Sequence, residues 1–399
     1  MPLTELESTV IERLARQGAA MEALLGELVG INSFTDDPEG VNAVGRVIEA
    51  RCLEMGFRTS SVVTGVSGQH LVARTRADRG NRLLLLGHLD TVYPAGSEPS
   101  SMTEDPRDPT RLRGPGVTDM KGGLVVMTFA ARALAEIGAL DDHVLTMLFS
   151  ADEETGSPTG HDIIAHEASE HHLCLVFETG SELADGATTF VTRRKGFGRL
   201  TVAIHGREAH AGAKKEEGLS AALEMAHKVV ALEGMNDPAR GRTVNVGVAR
   251  AGTTANTVPG LAELEIDYRF ENPDDLEVFT EELIEVSRTP TTGNEAFDLV
   301  PRIEIVEGPR CGPMPRTDAV ERMAGRIRAW GGDLGLKLEE EARGGASDGN
   351  VAAEAGCPTV DGLGTVGGDI HTPNEWVRRA SLVQRSQLLA LTALRFYEL

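Results

Sequence analysis

Residues 84–91 read Leu-Leu-Leu-Gly-His-Leu-Asp-Thr, and this stretch indicates the fold class and where a functional site would lie. A short, continuous apolar run is typical of a strand that is buried on both faces of an α/β sheet. Ligands of such sheets bind at the carboxyl ends of the strands, where His88 stands. Asp90 can orient the histidine ring, as metal-bound imidazoles require. From this stretch alone, a metal ligand and an ordinary strand-end histidine fit equally well.

Carboxylates follow two further apolar runs. Three consecutive acids occupy positions 152–154 after one run, and Glu178 follows the run at 173–177. Adjacent acids are unfavourable unless a cation neutralises them or one carboxyl group is protonated, although a solvated turn is the ordinary alternative. We expect these acids at the same sheet edge as His88.

Two loops that precede predicted helices supply more candidates. Residues 114–123 read Gly-Pro-Gly-Val-Thr-Asp-Met-Lys-Gly-Gly and display Asp119 at a helix start. The loop lacks the spacings of phosphate-binding glycine loops, so Asp119 is either a metal ligand or a helix N-cap. Residues 369–375 read Asp-Ile-His-Thr-Pro-Asn-Glu and place His371 in a loop before the last predicted helix.

Taken together, these candidates predict a metal site. Each has an ordinary structural explanation, but no single explanation accounts for two histidines and several carboxylates at one sheet edge. Imidazole and carboxylate ligands without thiolate suit zinc or a neighbouring divalent ion. One bridging carboxylate with two further ligands for each ion is enough for a metal pair roughly 3.5–4 Å apart.

The composition is that of an ordinary globular protein. The 399 residues are 41% hydrophobic and 25% charged, and this length exceeds what one core usually supports, which predicts two domains. A formal net charge of −22 disfavours a nucleic-acid partner. No apolar run is long enough to span a bilayer, and residues 1–30 lack the basic start of a signal peptide. We therefore expect a cytoplasmic protein without a membrane partner, and four separated cysteines with no CxxC pair agree with a reducing compartment.

The hydrophobic pattern divides the chain into three segments. Residues 1–195 and 311–399 predict an α/β catalytic domain, with a mixed, mostly parallel sheet and helices on both faces. Between residues 196 and 310, the order strand-helix-strand-strand-helix-strand predicts an inserted α+β sandwich with an antiparallel sheet. The predicted catalytic-domain strands are 83–86, 144–149, 173–177, 336–340 and 358–360, and the predicted helices are 122–137, 160–166, 318–330 and 347–354, with a last helix after Asn374.

Five motifs in this order resemble those of a dinuclear zinc metallopeptidase family that includes glutamate carboxypeptidase, acetylornithine deacetylase, succinyl-diaminopimelate desuccinylase and aminoacylase. They read GHLDT, GVTDMKGG, SADEETGS, FETG and IHTPNE, and the resemblance covers nearly the whole chain. It implies that Asp119 bridges two divalent metal ions, with zinc as the first choice and cobalt or manganese as alternatives, and that the Asp119–Met120 peptide is cis. The implied roles of the other residues are His88 and Glu178 as ligands of one ion, Glu154 and His371 as ligands of the other, Glu153 as general acid/base and Asp90 as support for His88.

The resemblance also makes the inserted domain a lid and dimerisation domain. Residues 206–212 resemble a lid segment whose His210 reaches the active site of a partner subunit and stabilises the oxyanion there. Residues 254–259 resemble a substrate-binding loop at Asn256. A lid that acts across a two-fold axis implies a homodimer. Three arginines are candidates for gripping a substrate carboxylate, and each also fits a surface ion pair, Arg310 at least as well: Arg269, Arg310 and Arg343.

The predicted function is hydrolysis of an amide bond by a water molecule that two metal ions activate, with Glu153 moving the proton. Residues 243–270 most resemble the glutamate carboxypeptidase branch, which favours release of a C-terminal amino acid, glutamate for example, from an N-acyl or short peptide substrate with a free carboxylate. The alternatives are a deacylase of small N-acyl amino acids, of the acetylornithine or succinyl-diaminopimelate type, and a dipeptidase. A non-catalytic metal-binding protein is disfavoured, because it would have no need of Glu153.

Overall fold

The computed structural model describes residues 2–398 and divides the chain into two compact units. The first unit holds the residues up to Arg193, Arg316–Arg343 and the residues from Ser347 onward, and the second holds Arg194–Pro315 and Gly344–Ala346. The predicted junction at Gly196 lies two residues after the start of the stretch Arg194–Pro315. The predicted junction at Arg310 lies five residues before its end. The short stretch belongs to the second unit, where Arg194 Nη1 donates to the Gly345 carbonyl at 3.0 Å.

The first unit starts with helices and then alternates strands and helices. The predicted strands at 83–86, 144–149 and 173–177 are present, as are the two predicted helices that follow the glycine-rich loop and the acidic turn. In chain order the elements are α1 (Glu5–Ala15), α2 (Gly18–Val29), α3 (Pro38–Glu54), β1 (Arg58–Val62), β2 (His70–Arg74), β3 (Arg82–His88), β4 (Thr103–Asp105), β5 (Asp108–Arg113), α4 (Lys121–Ala135), β6 (Val144–Ser150), α5 (His161–Ser169), β7 (Leu173–Val176) and β8 (Thr188–Arg194).

The second unit is built on an antiparallel sheet with the strand order β10-β11-β9-β12. Burial alternates along β11, so that one face of the sheet is covered and the other is open. Helices α6 and α7 pack against this sheet around a separate core that contains Leu264, Ile266 and Phe279. The elements are β9 (Gly196–His205), α6 (Ala221–Glu233), β10 (Thr243–Ala251), β11 (Leu261–Phe270), α7 (Asp275–Arg288) and β12 (Arg302–Cys311).

The last part of the chain completes the first unit. A short strand, β14, joins its main sheet beside β7, and a long helix, α10, packs against α1 and α4. The elements are α8 (Asp318–Asp333), β13 (Leu338–Arg343), α9 (Asp348–Glu354), β14 (Thr359–Val360), β15 (Gly367–Gly368), β16 (Trp376–Arg378) and α10 (Arg379–Tyr397). Within residues 2–398, no helix is both long and apolar enough to cross a membrane.

The main sheet has the order β1-β2-β6-β3-β7-β14. Strands β6, β3, β7 and β14 run parallel, whereas β1 and β2 are antiparallel to their neighbours. The predicted mixed, mostly parallel sheet with an inserted α+β sandwich is therefore confirmed. His88 is paired in register with Ser150, and Leu86 with Val176. The segments that follow β3, β6 and β7 consequently start at one edge of the sheet.

Both faces of this sheet are covered. Neighbouring residues of a strand point to opposite faces, and Leu85 belongs to the core cluster that also includes residues of α4 and α10. Leu84 and Leu86 are fully buried on the other face, where α5 and α9 pack together and α9 contacts β3 and β7. Burial on both faces explains why the central strands are mostly apolar.

The sequence did not predict a small sheet in the first unit with the order β15-β16-β5-β4. Its strands are short and rich in polar residues, so they carry no clear hydrophobic period. Strands β15 and β16 pair antiparallel and hold the loop at 369–375 between them. The last helix, expected directly after Asn374, begins only at Arg379, because β16 precedes it.

Candidate active site

His88, the last residue of β3, is buried with its ring fixed at both nitrogens. Nδ1 lies 3.0 Å from the Asp90 carbonyl oxygen and 3.4 Å from the Asp90 carboxylate. Nδ1 must therefore carry the proton that it donates, which directs Nε2 towards the carboxylates of Asp119, at 3.3 Å, and Glu178, at 3.5 Å. The backbone carbonyl of Asp90, rather than its side chain alone, orients the ring.

Asp119 lies between the two histidines. Its Oδ1 faces Nε2 of His88 at 3.3 Å, and its Oδ2 faces Nε2 of His371 at 3.2 Å. The same His371 nitrogen is 3.2 Å from Oε2 of Glu154. Each oxygen of Asp119 is thus paired with a different histidine, which is the geometry that a bridging carboxylate needs. The Asp119–Met120 peptide bond is cis, as the resemblance implied.

The six residues with an implied metal or acid/base role lie together. Ligand atoms of His88, Glu153 and Glu178 are within 4.8 Å of one another, and so are those of His88, Asp119 and Glu154. The strand register explains this convergence, because the residues after β3, β6 and β7 meet at one sheet edge, and the Asp119 and His371 loops cover it. The role of each residue remains a prediction.

The negative charge of this cluster favours protonated imidazoles. Burial opposes a charge on His88, but its hydrogen bonds with Asp119 and Asp90 and the negative charges of Glu178 and Glu153 together outweigh burial and raise its pKa well above the ordinary value. Hydrogen bonds to Asp119 and Glu154 raise the pKa of His371 to about 10. Although burial acts in the opposite direction, both histidines together lower the pKa of Asp119. Positive charge is required here, and the set of imidazole and carboxylate donors fits divalent ions that would replace these protons.

Glu153 lies in a 3-10 turn immediately after β6. The Asp90 carboxylate accepts the backbone N–H of Glu153 at 3.3 Å and that of Glu154 at 3.2 Å, and it also accepts the Thr35 hydroxyl. Burial raises the pKa of Glu153 well above its ordinary value. The neighbouring carboxylates, led by Glu178, raise it further, whereas the positive charge of His88 lowers it. A carboxyl group that is this reluctant to ionise suits a general acid/base.

The loop that carries His371 is strained. The φ angles of Asp369 and His371 are 54° and 61°, in the left-handed region that non-glycine residues rarely adopt. Such a conformation costs about 1–3 kcal/mol for each residue and persists where the surroundings enforce it. The His371 side chain is 51% exposed, so this ligand candidate lies at the mouth of the site.

The role of Glu375 was not predicted from the sequence, although this residue ends one of the five motifs. Its buried carboxylate accepts backbone N–H groups of Gly116, Thr118 and Asp119 at 2.8–3.0 Å and the Tyr93 hydroxyl at 2.6 Å. Glu375 therefore fixes the loop that presents Asp119. The sequence shows only an acid in a motif, because its partners lie more than 250 positions away.

The candidate residues of the inserted segment lie in the second unit. The segments of His210 and Asn256 are neighbours there, since Ala211 N donates to the Asn256 carbonyl at 2.9 Å and His210 forms a β-bridge with Thr257. Both side chains are exposed.

Each of the three candidate arginines has a carboxylate partner within its own unit. Arg269 donates to both oxygens of Asp267, at 2.8 and 2.9 Å, and Arg310 pairs with Glu277 at 3.2 Å. Arg343, in the first unit, pairs with Glu341 at 3.1 Å. It also donates to the Thr179 carbonyl at 2.6 Å and to the Ser181 hydroxyl at 2.8 Å, next to Glu178. Substrate binding by these arginines stays a prediction.

Known proteins resemble this chain in sequence and in fold. The model of peptidase family M20/M25/M40 matches residues 84–395. Carboxypeptidase G2 from Pseudomonas sp. (strain RS-16) is 29% identical over 392 residues, which is 96% of this chain and 91% of that protein. Succinyl-diaminopimelate desuccinylase from Xanthomonas oryzae pv. oryzae is 29% identical over 313 residues, 75% of this chain and 80% of that protein. The fold is similar, with a TM-score of 0.69 and 15% identity, to a Bacillus subtilis protein described as a dinuclear metal-binding peptidase, over 96% of this chain and 99% of that one.

Proposed function

The chain belongs to peptidase family M20/M25/M40, and from that premise we propose that it is a two-metal carboxypeptidase. It would release a C-terminal amino acid, such as glutamate, from an N-acyl or peptidyl substrate. The observation that carries the proposal is Asp119, whose two oxygens face two different histidines beside Glu153. Similarity to carboxypeptidase G2 over 96% of the chain favours the carboxypeptidase branch.

Five residues would hold the metal pair. Asp119 would bridge, with His88 and Glu178 on the side of its Oδ1 and with Glu154 and His371 on the side of its Oδ2. Zinc is the ion that we propose, with cobalt and manganese as alternatives. When bound, such a pair lowers the pKa of a shared water to about 7 and polarises the amide carbonyl.

Glu153 is the proposed proton carrier. It would take a proton from the attacking water and deliver it to the nitrogen of the leaving amine as the C–N bond breaks. In the metal-free site its pKa is raised, which makes Glu153 a stronger base than an ordinary carboxylate and favours the first of these steps. Asp90 would keep the carrier in place, because its carboxylate binds the N–H groups of Glu153 and Glu154.

The second unit is the proposed lid and dimerisation domain, with His210 and Asn256 acting on the substrate. Helix α6 supports dimerisation: Leu223 and Val230 on its surface are 53% and 74% exposed, whereas the charged Glu224 and Lys228 are buried. Strand β10 lies at an edge of the sheet. Apolar side chains beside an open strand edge are features that a second copy of the chain would cover.

Recognition of a free substrate carboxylate is assigned to Arg269, Arg310 and Arg343 together with Asn256. A bidentate guanidinium suits a planar carboxylate, but each arginine would have to share or exchange its present acidic partner. We also propose that the enzyme works in the cytoplasm, because the cysteines within the described residues are buried and free, as in a reducing compartment.

A deacylase of small N-acyl amino acids is the second candidate, favoured by the similarity to the Xanthomonas desuccinylase. A panel of N-acyl amino acids, dipeptides, acetylornithine and succinyl-diaminopimelate, assayed with zinc or cobalt, separates the two functions. The turnover rate of a carboxypeptidase should depend on which C-terminal residue is released and should change little with the acyl group. Faster turnover of acetylornithine or succinyl-diaminopimelate would favour the deacylase, and absence of any metal-dependent turnover would contradict both.

A further inference from the structure

We propose that Asp348 is a positioning residue for the catalytic turn, the segment 151–156 that carries Glu153; the inference rests on the function proposed above. The Asp348 carboxylate accepts hydrogen bonds from the two serines that flank this turn. Ser150 Oγ donates to Oδ2 at 2.5 Å, and Ser157 Oγ donates to Oδ1. One side chain therefore ties both ends of the turn together, and we call these three residues the clamp.

The clamp is buried and joined to regular structure. Asp348, Ser150 and Ser157 are 4%, 0% and 2% exposed. Ser150 is the last residue of β6, and Asp348 is the first residue of α9, so two of the three anchors are fixed by the fold. Hydrogen bonds to a carboxylate are stronger than those between neutral groups, which makes Asp348 suited to hold the third anchor.

Ser157 is the anchor that needs holding. Its φ angle is 53°, in the left-handed region, and the preceding Gly156 has a φ of 91°. Non-glycine residues leave this region unless neighbouring groups hold them there. Without the bond from Ser157 to Asp348, the end of the turn would relax, and Glu153 would move with it. A displacement of about 1 Å at a catalytic group can cost on the order of 10²-fold in rate.

The negative charge of Asp348 is an alternative explanation for its effect on Glu153. Burial and the charge of Glu178 raise the pKa of Glu153, and Asp348 adds to this effect. An asparagine at position 348 separates the two explanations. Its Oδ1 can accept a hydrogen bond from one serine while its Nδ2 donates to the other, so the clamp persists without a charge.

The test compares Asp348→Asn, Asp348→Ala, Ser150→Ala and Ser157→Ala at saturating zinc. Hydrogen exchange of the peptide that spans the turn is measured together with kcat and KM on whichever amide substrate the wild type hydrolyses. The turn N–H groups bonded to the Asp152 and Glu153 carbonyls report its order. Ser386→Ala is the matched control, because the hydroxyl of this buried serine donates to the Leu382 carbonyl within α10 and to the Met21 sulfur rather than to a residue of the clamp.

We expect Asp348→Ala to speed exchange in the turn and to lower kcat on the order of 10²-fold, with KM nearly unchanged. Asp348→Asn should stay close to the wild type in both measurements. The two serine variants should fall between them, because each removes one of the two bonds. The control should match the wild type.

Several outcomes would overturn the clamp. Wild-type exchange and kcat in Asp348→Ala would show that the turn does not depend on this residue. An Asp348→Asn variant as impaired as Asp348→Ala would make charge, not position, the cause. If Asp348→Ala fails to fold, unchanged exchange in both serine variants would refute the proposal. If the wild type hydrolyses no substrate, the proposed function fails, whereas hydrogen exchange still decides the role of Asp348.

Discussion

Loading the metal-free protein with zinc at pH 7 should release one proton from each histidine of the site. The hydrogen bonds of His371 raise its pKa to about 10, and the pKa of His88 is also raised well above its ordinary value. Both imidazoles are therefore protonated near neutral pH in the absence of metal. A zinc ion binds the neutral imidazole, so each histidine that becomes a ligand must give up its proton.

Isothermal titration calorimetry measures this release directly. Zinc is titrated at one pH into the protein in two buffers that differ in ionisation enthalpy, and the difference in heat gives the number of protons. His371→Ala should lower that number by about one, because one protonated ligand is lost. His161→Ala changes an exposed histidine of α5 and should leave the number unchanged.

Identical heats in the two buffers would refute this reasoning, because they would show that no proton leaves when zinc binds. The raised pKa of His371 also predicts how the stability of the metal-free protein depends on pH. The folded pKa of His371, about 10, lies above its ordinary value of 6.5. The protonated His371 ring therefore contributes its full stabilisation below pH 6.5, and this stabilisation is lost as the pH rises towards 10. The metal-free protein should lose stability over that range, and His371→Ala should weaken the trend.

Three further predictions concern single residues. Glu153→Gln should retain bound zinc while kcat falls about 10²- to 10⁴-fold, because the proton carrier is removed; Glu154→Gln, by contrast, should lose zinc, as measured by elemental analysis. Glu375→Gln should lower the free energy of unfolding by about 1–3 kcal/mol in urea denaturation, because its new amide group faces backbone donors. Glu281→Gln, at an exposed position of α7, is the control and should be neutral. Val230→Glu should convert a wild-type dimer into a folded monomer in analytical ultracentrifugation, and a wild type that already sediments as a monomer would contradict the proposed interface.

The strands that lead to the site could be predicted because burial on both faces leaves a simple pattern. Strand β6 is buried along its whole length, and β3 nearly so, and most of their residues are apolar. Parallel strands of this kind end at one sheet edge, so the convergence of His88, Glu153 and Glu178 followed from chain order alone. The assignment of ligand and base among adjacent acids did not follow, and it needed the family resemblance.

Other parts of the site left no readable pattern. Strands β15 and β16, which hold the loop of His371, are two and three residues long, too short for any hydrophobic period. The hydrogen-bond partners of Glu375 and Asp348 could not be predicted either, because they lie roughly 190–260 positions away in the sequence. A buried acid is visible in sequence only as an acid, and its function depends on donors that the fold brings to it.

The central claim is that Asp119 bridges two metal ions. Anomalous diffraction at the zinc edge, from crystals of the zinc-loaded protein, tests it most directly. We predict two peaks roughly 3.5–4 Å apart, one beside Oδ1 of Asp119 with His88 and Glu178, and the other beside Oδ2 with Glu154 and His371. A single peak, or two peaks of which either lies away from the Asp119 carboxylate, would contradict the account.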